Sequence, residues 1–220
     1  TPKDIQDIEI GIDLDVDWFA LSFVRTAHDV DHIRNIFDKH GVSKPIIAKI
    51  EKPEAVDNLK SIVEVFDAIL VARVDLGVEM GFKRVPVIQR KIVRTCHKYG
   101  KPIILATQML ESMIHNDSPT RAEVNDVAVA VEQSCDAVML SAETTIGKFP
   151  IETIKMMQSI IIEVETDIFR YSKYRGVRSL NEDLDVQSSI CYSAARIANR
   201  LGIDTIIAMT ESGSSALSIA

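Results

Sequence analysis

Ile46-Ile47-Ala48-Lys49-Ile50-Glu51-Lys52-Pro53 opens a stretch that closes with Ala68-Ile69-Leu70-Val71-Ala72-Arg73-Val74-Asp75-Leu76-Gly77. Two short runs rich in Ile, Val and Ala each stop at charged residues, with a helix-like segment between them. Continuous apolar runs of this length are the pattern of buried parallel strands, and the whole reads as a βαβ unit. Charges that end such strands lie at strand C-termini, where parallel α/β folds build their sites. Lys49 and Glu51 are two apart and share one side of an extended strand; Asp75 follows the next strand and can meet them. A cation beside two carboxylates in such a mouth suits a hard divalent metal, Mg²⁺ above all, and an anionic substrate. A plain Lys–Glu salt bridge at a strand end is the competing reading of the first pair.

Working outward, the same march repeats. Thr1-Pro2-Lys3-Asp4 reads as an N-cap with Pro at the first helical position. A strand over 18–24 ends at Arg25. A helix over 27–40 turns Val30, Ile33 and Phe37 inward and stops at Gly41. Helices are expected over 53–65 and 85–99, a strand over 68–73 between them, and a strand over 103–107 after them. A helix opening at Pro119-Thr120-Arg121-Ala122-Glu123, a strand over 137–141 and a long helix from Pro150 to about Glu165 complete the series. The strands end near Ser22, Glu51, Arg73, Thr107 and Ser141, about one βα unit apart. A regular march without a Gly-rich dinucleotide loop favours a (β/α)8 TIM barrel over a Rossmann sheet. Five units cannot close eight strands, so the fold expected over 1–170 is α/β, a partial barrel of about the last five βα units. Thr1 in place of Met, and a close on Ser218-Ile219-Ala220 inside a helix-like run, lead us to expect a piece of a longer protein.

After Glu165 the composition shifts. Residues 171–185 read as a linker and 186–220 as the start of a C-terminal α/β domain, with a helix over 186–201 and a strand over 205–209. Thr210-Glu211-Ser212-Gly213-Ser214-Ser215 then opens another helix. Backbone N–H groups and hydroxyls there suit an anion, a phosphorylated effector for example; a simply capped helix start is the alternative.

Bulk properties narrow the function. The chain has 220 residues, 46% hydrophobic, with a formal net charge of −7; that argues against a nucleic-acid partner, which needs a basic face. No apolar run approaches the roughly 18 residues of a membrane span, so no membrane partner is expected. The three cysteines, Cys96, Cys135 and Cys191, lack metal-ligand spacing and read as free thiols of a cytoplasmic protein.

Five stretches together resemble pyruvate kinase: Lys49-Ile50-Glu51; Val71-Ala72-Arg73-Val74-Asp75-Leu76-Gly77-Val78-Glu79; Ala106-Thr107-Gln108-Met109-Leu110-Glu111-Ser112-Met113; Pro119 through Glu123; and Met139-Leu140-Ser141-Ala142-Glu143-Thr144. The resemblance covers essentially the whole chain and implies transfer of the phosphoryl group of phosphoenolpyruvate to ADP, giving pyruvate and ATP in glycolysis, with Mg²⁺ (or Mn²⁺) and K⁺. By motif, Glu51 and Asp75 would hold the metal, and Lys49 would neutralise charge on the transferring phosphoryl group and the enolate. Thr107 and Ser141 match positions near the methylene carbon that is protonated. The backbone of Ala72, Arg73, Val74 and Asp75 would receive the substrate carboxylate. Thr210, Ser212, Gly213, Ser214 and Ser215 would form the effector-phosphate loop, and a homotetramer is the family's habit.

The resemblance also has departures. Val74 stands where the family has Gly, and a β-branched residue resists the conformations and close approach that Gly permits. Val129 replaces an Asn, Gln133-Ser134-Cys135 replaces a Gly-containing turn, Asp117 stands where a Pro is common, and Ser214 stands where a basic residue often is. The first three barrel strands and the lid, which supply further nucleotide and K⁺ contacts in the family, are expected outside this stretch, leaving the stretch alone inactive. A non-catalytic, degenerate relative serving as a binding or assembly module is the alternative function. A different Mg²⁺-dependent barrel enzyme acting on a pyruvate-like acid would not need the Met-Leu-Glu-Ser-Met and Pro-Thr-Arg-Ala-Glu stretches.

Overall fold

A computed structural model describes residues 1–171 and 186–219. The chain divides into two compact units, Thr1–Ile161 and Ile162–Ala220. The expected linker lies, apart from Tyr171, outside the described residues.

The first unit begins with helix α1 (Pro2–Asp13), where Thr1 and Asp4 form a reciprocal capping box. Strand β1 (Phe19–Leu21) and helix α2 (Asp29–His40) follow. α2 buries Val30, Ile33 and Phe37, the expected stripe, and ends at Gly41 with φ 65°, the left-handed C-cap that Gly adopts without strain. Strand β2 (Ile46–Ile50) leads to α3 (Pro53–Asp57) and α4 (Leu59–Val65). The single helix expected over 53–65 is thus broken at Asn58, whose ψ of 15° lies off the helical value.

Strand β3 (Ala68–Ala72) runs directly into α5 (Arg73–Met80). The sequence reading extended this strand through Arg73 and missed the helix. Its Gly77 and two valines are poor helix formers; a Cβ at Gly77 would stand 2.5 Å from the ring of Phe82, which is 60% exposed and free to turn aside. Helix α6 (Val85–Lys98), strand β4 (Ile103–Ala106), helix α7 (Arg121–Glu132), strand β5 (Ala137–Met139), the short α8 (Ala142–Thr145) and α9 (Pro150–Tyr171) complete the series.

The five strands form one parallel sheet in the order β1-β2-β3-β4-β5. Each strand pairs with the next in sequence, as around a barrel, whereas a doubly wound sheet reverses its order. Central β3 is buried at all five positions, while β5 is exposed at Ala137 and Met139. On β2 the pleat separates two environments: Ile46, Ala48 and Ile50 are buried, Ile47 and Lys49 only half-buried. Lys49 is in register with Leu70. It therefore shares a face with the cluster of Leu70, Ala72 and Ala106, against which Ile47 and Ile104 pack. The opposite face meets the helices, as where Phe19 of β1 sets its ring edge-on to Phe37 of α2 at 5.0 Å. Each fully buried Ile, Leu, Val or Phe contributes about 1.5–3 kcal/mol.

In the second unit α10 (Val186–Leu201) and α11 (Ser214–Ile219) form as expected, but the strand over 205–209 does not. Strand geometry needs a hydrogen-bonded neighbour, and no other strand stands in this unit among the described residues; Ile207 and Met209 are 87% and 96% exposed. Among the described residues no helix is long and apolar enough to cross a membrane, and the three cysteines are free thiols.

Candidate active site at the strand ends

Lys49 leaves the last turn of β2 on the half-open face of the sheet. Its Nζ donates to Ser22 Oγ at 2.9 Å and lies 3.4 Å from Glu51 Oε2. Glu51, one residue beyond β2, is only 3% exposed. Its Oε1 accepts the Phe23 N–H at 2.5 Å, and Phe23 presents that N–H from a left-handed conformation with φ 61°. A buried carboxylate needs such partners. Here one backbone donor and one cation satisfy it while leaving further lone pairs.

The second cluster surrounds Arg73, the first residue of α5. Its Nε donates to the carbonyls of Ala106 and Thr107, each at 3.2 Å, and one terminal nitrogen reaches those of Thr107 (2.5 Å) and Gln108 (3.1 Å). The other terminal nitrogen pairs with Asp126 of α7 at 2.5 Å. This buried fork pins a turn in which Thr107 and Gln108 both have positive φ, 71° and 51°, costing about 1–3 kcal/mol each. The strained turn aims Thr107 Oγ1 at the start of α5, where it accepts the Val74 N–H at 3.1 Å.

Val74 itself is not among the positive-φ residues. It occupies the first turn of a helix, so the backbone there does not demand the Gly found in the resembling family. The Gln133-Ser134-Cys135 turn differs: Ser134 adopts φ 58°, a conformation Gly holds at lower cost.

Asp75, in the first turn of α5, is exposed and forms no ion pair among the described residues. Ala72 is buried at the end of β3. No group of three or more His, Cys, Asp or Glu side chains converges among the described residues; Glu51 and Asp75 are the two carboxylates that the sequence reading assigned to a metal. All-oxygen donors fit Mg²⁺ or Mn²⁺, which keep several water or substrate oxygens.

Ser141 caps α8, and its N–H donates to Glu143 Oε2 at 2.7 Å; Oε1 of the same carboxylate accepts from Leu110 N–H at 3.3 Å. Glu143, 2% exposed, thereby ties the β5 end to the loop after β4. Sequence reasoning quoted Glu143 only as part of a motif and passed over Asp126 and the structural role of Ser22. A carboxylate two residues after a strand-end Ser is a readable turn signal for Glu143; nothing local marks Asp126, which is 53 residues from Arg73.

The small-residue loop of the second unit is folded on itself. Thr210 Oγ1 accepts the Gly213 N–H at 3.1 Å, Ser212 Oγ donates to Ser214 Oγ at 3.0 Å, and Gln187 Nε2 donates to the hydroxyls of Ser214 and Ser215 at 3.1 and 3.2 Å.

Known proteins are similar to this chain over most of its length. The family described as pyruvate kinase, barrel domain, matches residues 1–154. The pyruvate kinase of Mycobacterium intracellulare is 46% identical over 96% of this chain and 44% of its own length. That of Corynebacterium efficiens is 46% identical over 99% of this chain and 45% of its own length. Pyruvate kinase 2 of Synechocystis is 43% identical over 98% of this chain and 36% of its own length. The chain thus spans less than half the length of these relatives. The parallel sheet of its first unit is part of a TIM-type barrel, and the chain belongs to the pyruvate kinase family.

Proposed function

We propose that the protein carrying this chain transfers the phosphoryl group of phosphoenolpyruvate to ADP, producing pyruvate and ATP in the cytoplasm. The observation that carries the reading is the Ser22–Lys49–Glu51 cluster at adjoining strand ends, in a chain belonging to the family. Glu51 and Asp75 would hold Mg²⁺ (or Mn²⁺), which would supply charge neutralisation when bound. Lys49 sets its ammonium beside that carboxylate, where a phosphoryl group between substrate and nucleotide carries its largest negative charge. As the phosphorus–oxygen bond of the enol phosphate breaks, its electron pair remains on the enolate oxygen, and the same ammonium stabilises it. A proton then reaches the methylene carbon on the side of Thr107 and Ser141. The N-terminal turn of α5, from Ala72 through Arg73, Val74 and Asp75, holds the carboxylate of the substrate. K⁺, a homotetramer and an effector phosphate at Thr210–Ser215 belong to the same proposal for the whole protein.

The test is a coupled phosphoenolpyruvate-to-pyruvate assay with ADP, Mg²⁺ and K⁺, on protein whose intact mass has been measured. Turnover in a longer natural form, falling about 10³-fold in Lys49→Met, is the expected result; a variant within about threefold of the parent overturns the role of Lys49. For the 220-residue chain itself, Mn²⁺ binding read by electron paramagnetic resonance and lost in Glu51→Gln is expected. Unaltered binding in that variant removes Glu51 from the metal site.

A further inference from the structure

From Met80 to Leu110 the sequence holds seven Lys and Arg residues and no Asp or Glu, in a chain whose net charge is −7. Most of these cations are on α6 and the turn before it. The buried side of α6, with Ile88, Ile92, Val93 and Cys96, faces the barrel, so the opposite side presents Lys83, Arg84, Arg90, Lys91 and Arg94 to solvent. None of these five forms an ion pair among the described residues, and the nearby Glu79 is already engaged by Lys52 at 2.5 Å. Beside them a groove of about 480 Å³ runs along α6 and α3. Its apolar wall is Val56, Met80, Val87 and Ile88; its cations are Lys83, Arg84 and Lys91, with Asp57 as the single acidic lining residue. Val87 and the adjacent Phe82 are each 60% exposed.

We propose that this groove docks an acidic peptide segment of a partner protein, a helix carrying apolar side chains at i, i+3 and i+7 flanked by Glu or Asp. Charge complementarity selects the occupant's sign, because the cations here have no acidic partners of their own. The concave apolar wall selects its class. A flat lipid surface cannot enter a groove, and a nucleic acid has no aliphatic side chains to cover Val56, Met80 and Val87. Arg84 and Lys91 are seven residues apart, about 10 Å along a helix axis, and match carboxylates two turns apart on a docked helix. The remaining negative charge of the chain repels polyanions at large, so attraction is local and sensitive to salt.

The experiment measures fluorescence anisotropy of a labelled sixteen-residue peptide, Leu at helical spacing with Glu between, titrated with the full chain at about 50 and 500 mM NaCl. Saturable binding is expected, weakened at least about tenfold by salt, by Lys83→Glu/Arg84→Glu and by Val87→Asp. Lys155→Glu, an equal change of sign on the exposed side of α9, is expected to leave it unchanged. All these positions are exposed, and far-UV circular dichroism checks that each variant folds. Equal binding by all variants, or equal binding of a peptide with Gln for every Glu, overturns the proposal. So does tighter, variant-sensitive binding of anionic vesicles or a single-stranded oligonucleotide.

Discussion

Replacing Arg73 with Met keeps an apolar stem of similar length and removes the fork that organises the turn after β4. Ala106 O retains the Thr107 hydroxyl as donor at 2.6 Å, so the carbonyls of Thr107 and Gln108 are the two left without their donor. Each buried, unsatisfied acceptor costs about 1–3 kcal/mol; both are only partly buried here, which places the loss near 2–3 kcal/mol. Asp126, 40% exposed, regains water when its partner goes and adds little. Asp126→Asn should therefore cost less than about 1 kcal/mol, although it breaks the same ion pair. The assay is equilibrium unfolding in urea followed through Trp18, the single tryptophan, which lies in the first unit. A loss under 1 kcal/mol for Arg73→Met, or equal losses for the two variants, would refute the claim that the carbonyls rather than the carboxylate define the role of Arg73.

Ser134→Gly relieves a left-handed residue with φ 58° and should stabilise the first unit by about 0.5–1 kcal/mol in the same urea titration; destabilisation would mean that the Ser side chain holds the turn. Burial pushes the Glu123 carboxyl up, but hydrogen bonds from Ser112 and Thr120 outweigh it and hold the group below its ordinary value of 4.5. Its contribution is present above that value and disappears as pH falls below it through the folded-state pKa, so Glu123→Gln should flatten the acid limb of the stability profile; an unchanged limb would contradict this. Burial, aided by Asp136, pushes the Cys96 and Cys135 thiols up to about 12 from 9.0. Both should resist an aromatic disulfide reagent at pH 8 until urea unfolds the chain. The stability they confer is complete below pH 9 and fades above it, as the unfolded thiols ionise first. Rapid labelling of either in the native protein would count against this burial.

The family was legible because its motifs are local strings, and the fold class because a parallel strand and its crossover helix announce themselves by hydrophobic period. The helix stripe of Val30, Ile33 and Phe37 and the Lys49–Glu51 side-sharing follow from spacing alone. Element boundaries at Asn58 and Arg73 did not follow, because a bend or an early helix there depends on what packs against it. The strand over 205–209 had the right composition, yet a strand exists only through a neighbour, and none pairs with it among the described residues.

Chemistry at a single position could be read from residue type; chemistry shared between positions could not. Ser22 reaches Lys49 across 27 residues, Phe23 offers its N–H to Glu51 across 28, and Arg73 closes on Asp126 across 53. Such contacts depend on strand register and on the left-handed turns at Phe23, Thr107 and Gln108, which the residue types do not signal. The sequence by itself therefore determined which groups stand at the strand ends. Only the tertiary structure decided which of them are buried, paired and strained, because desolvation and backbone strain are properties of neighbours brought together from distant parts of the chain.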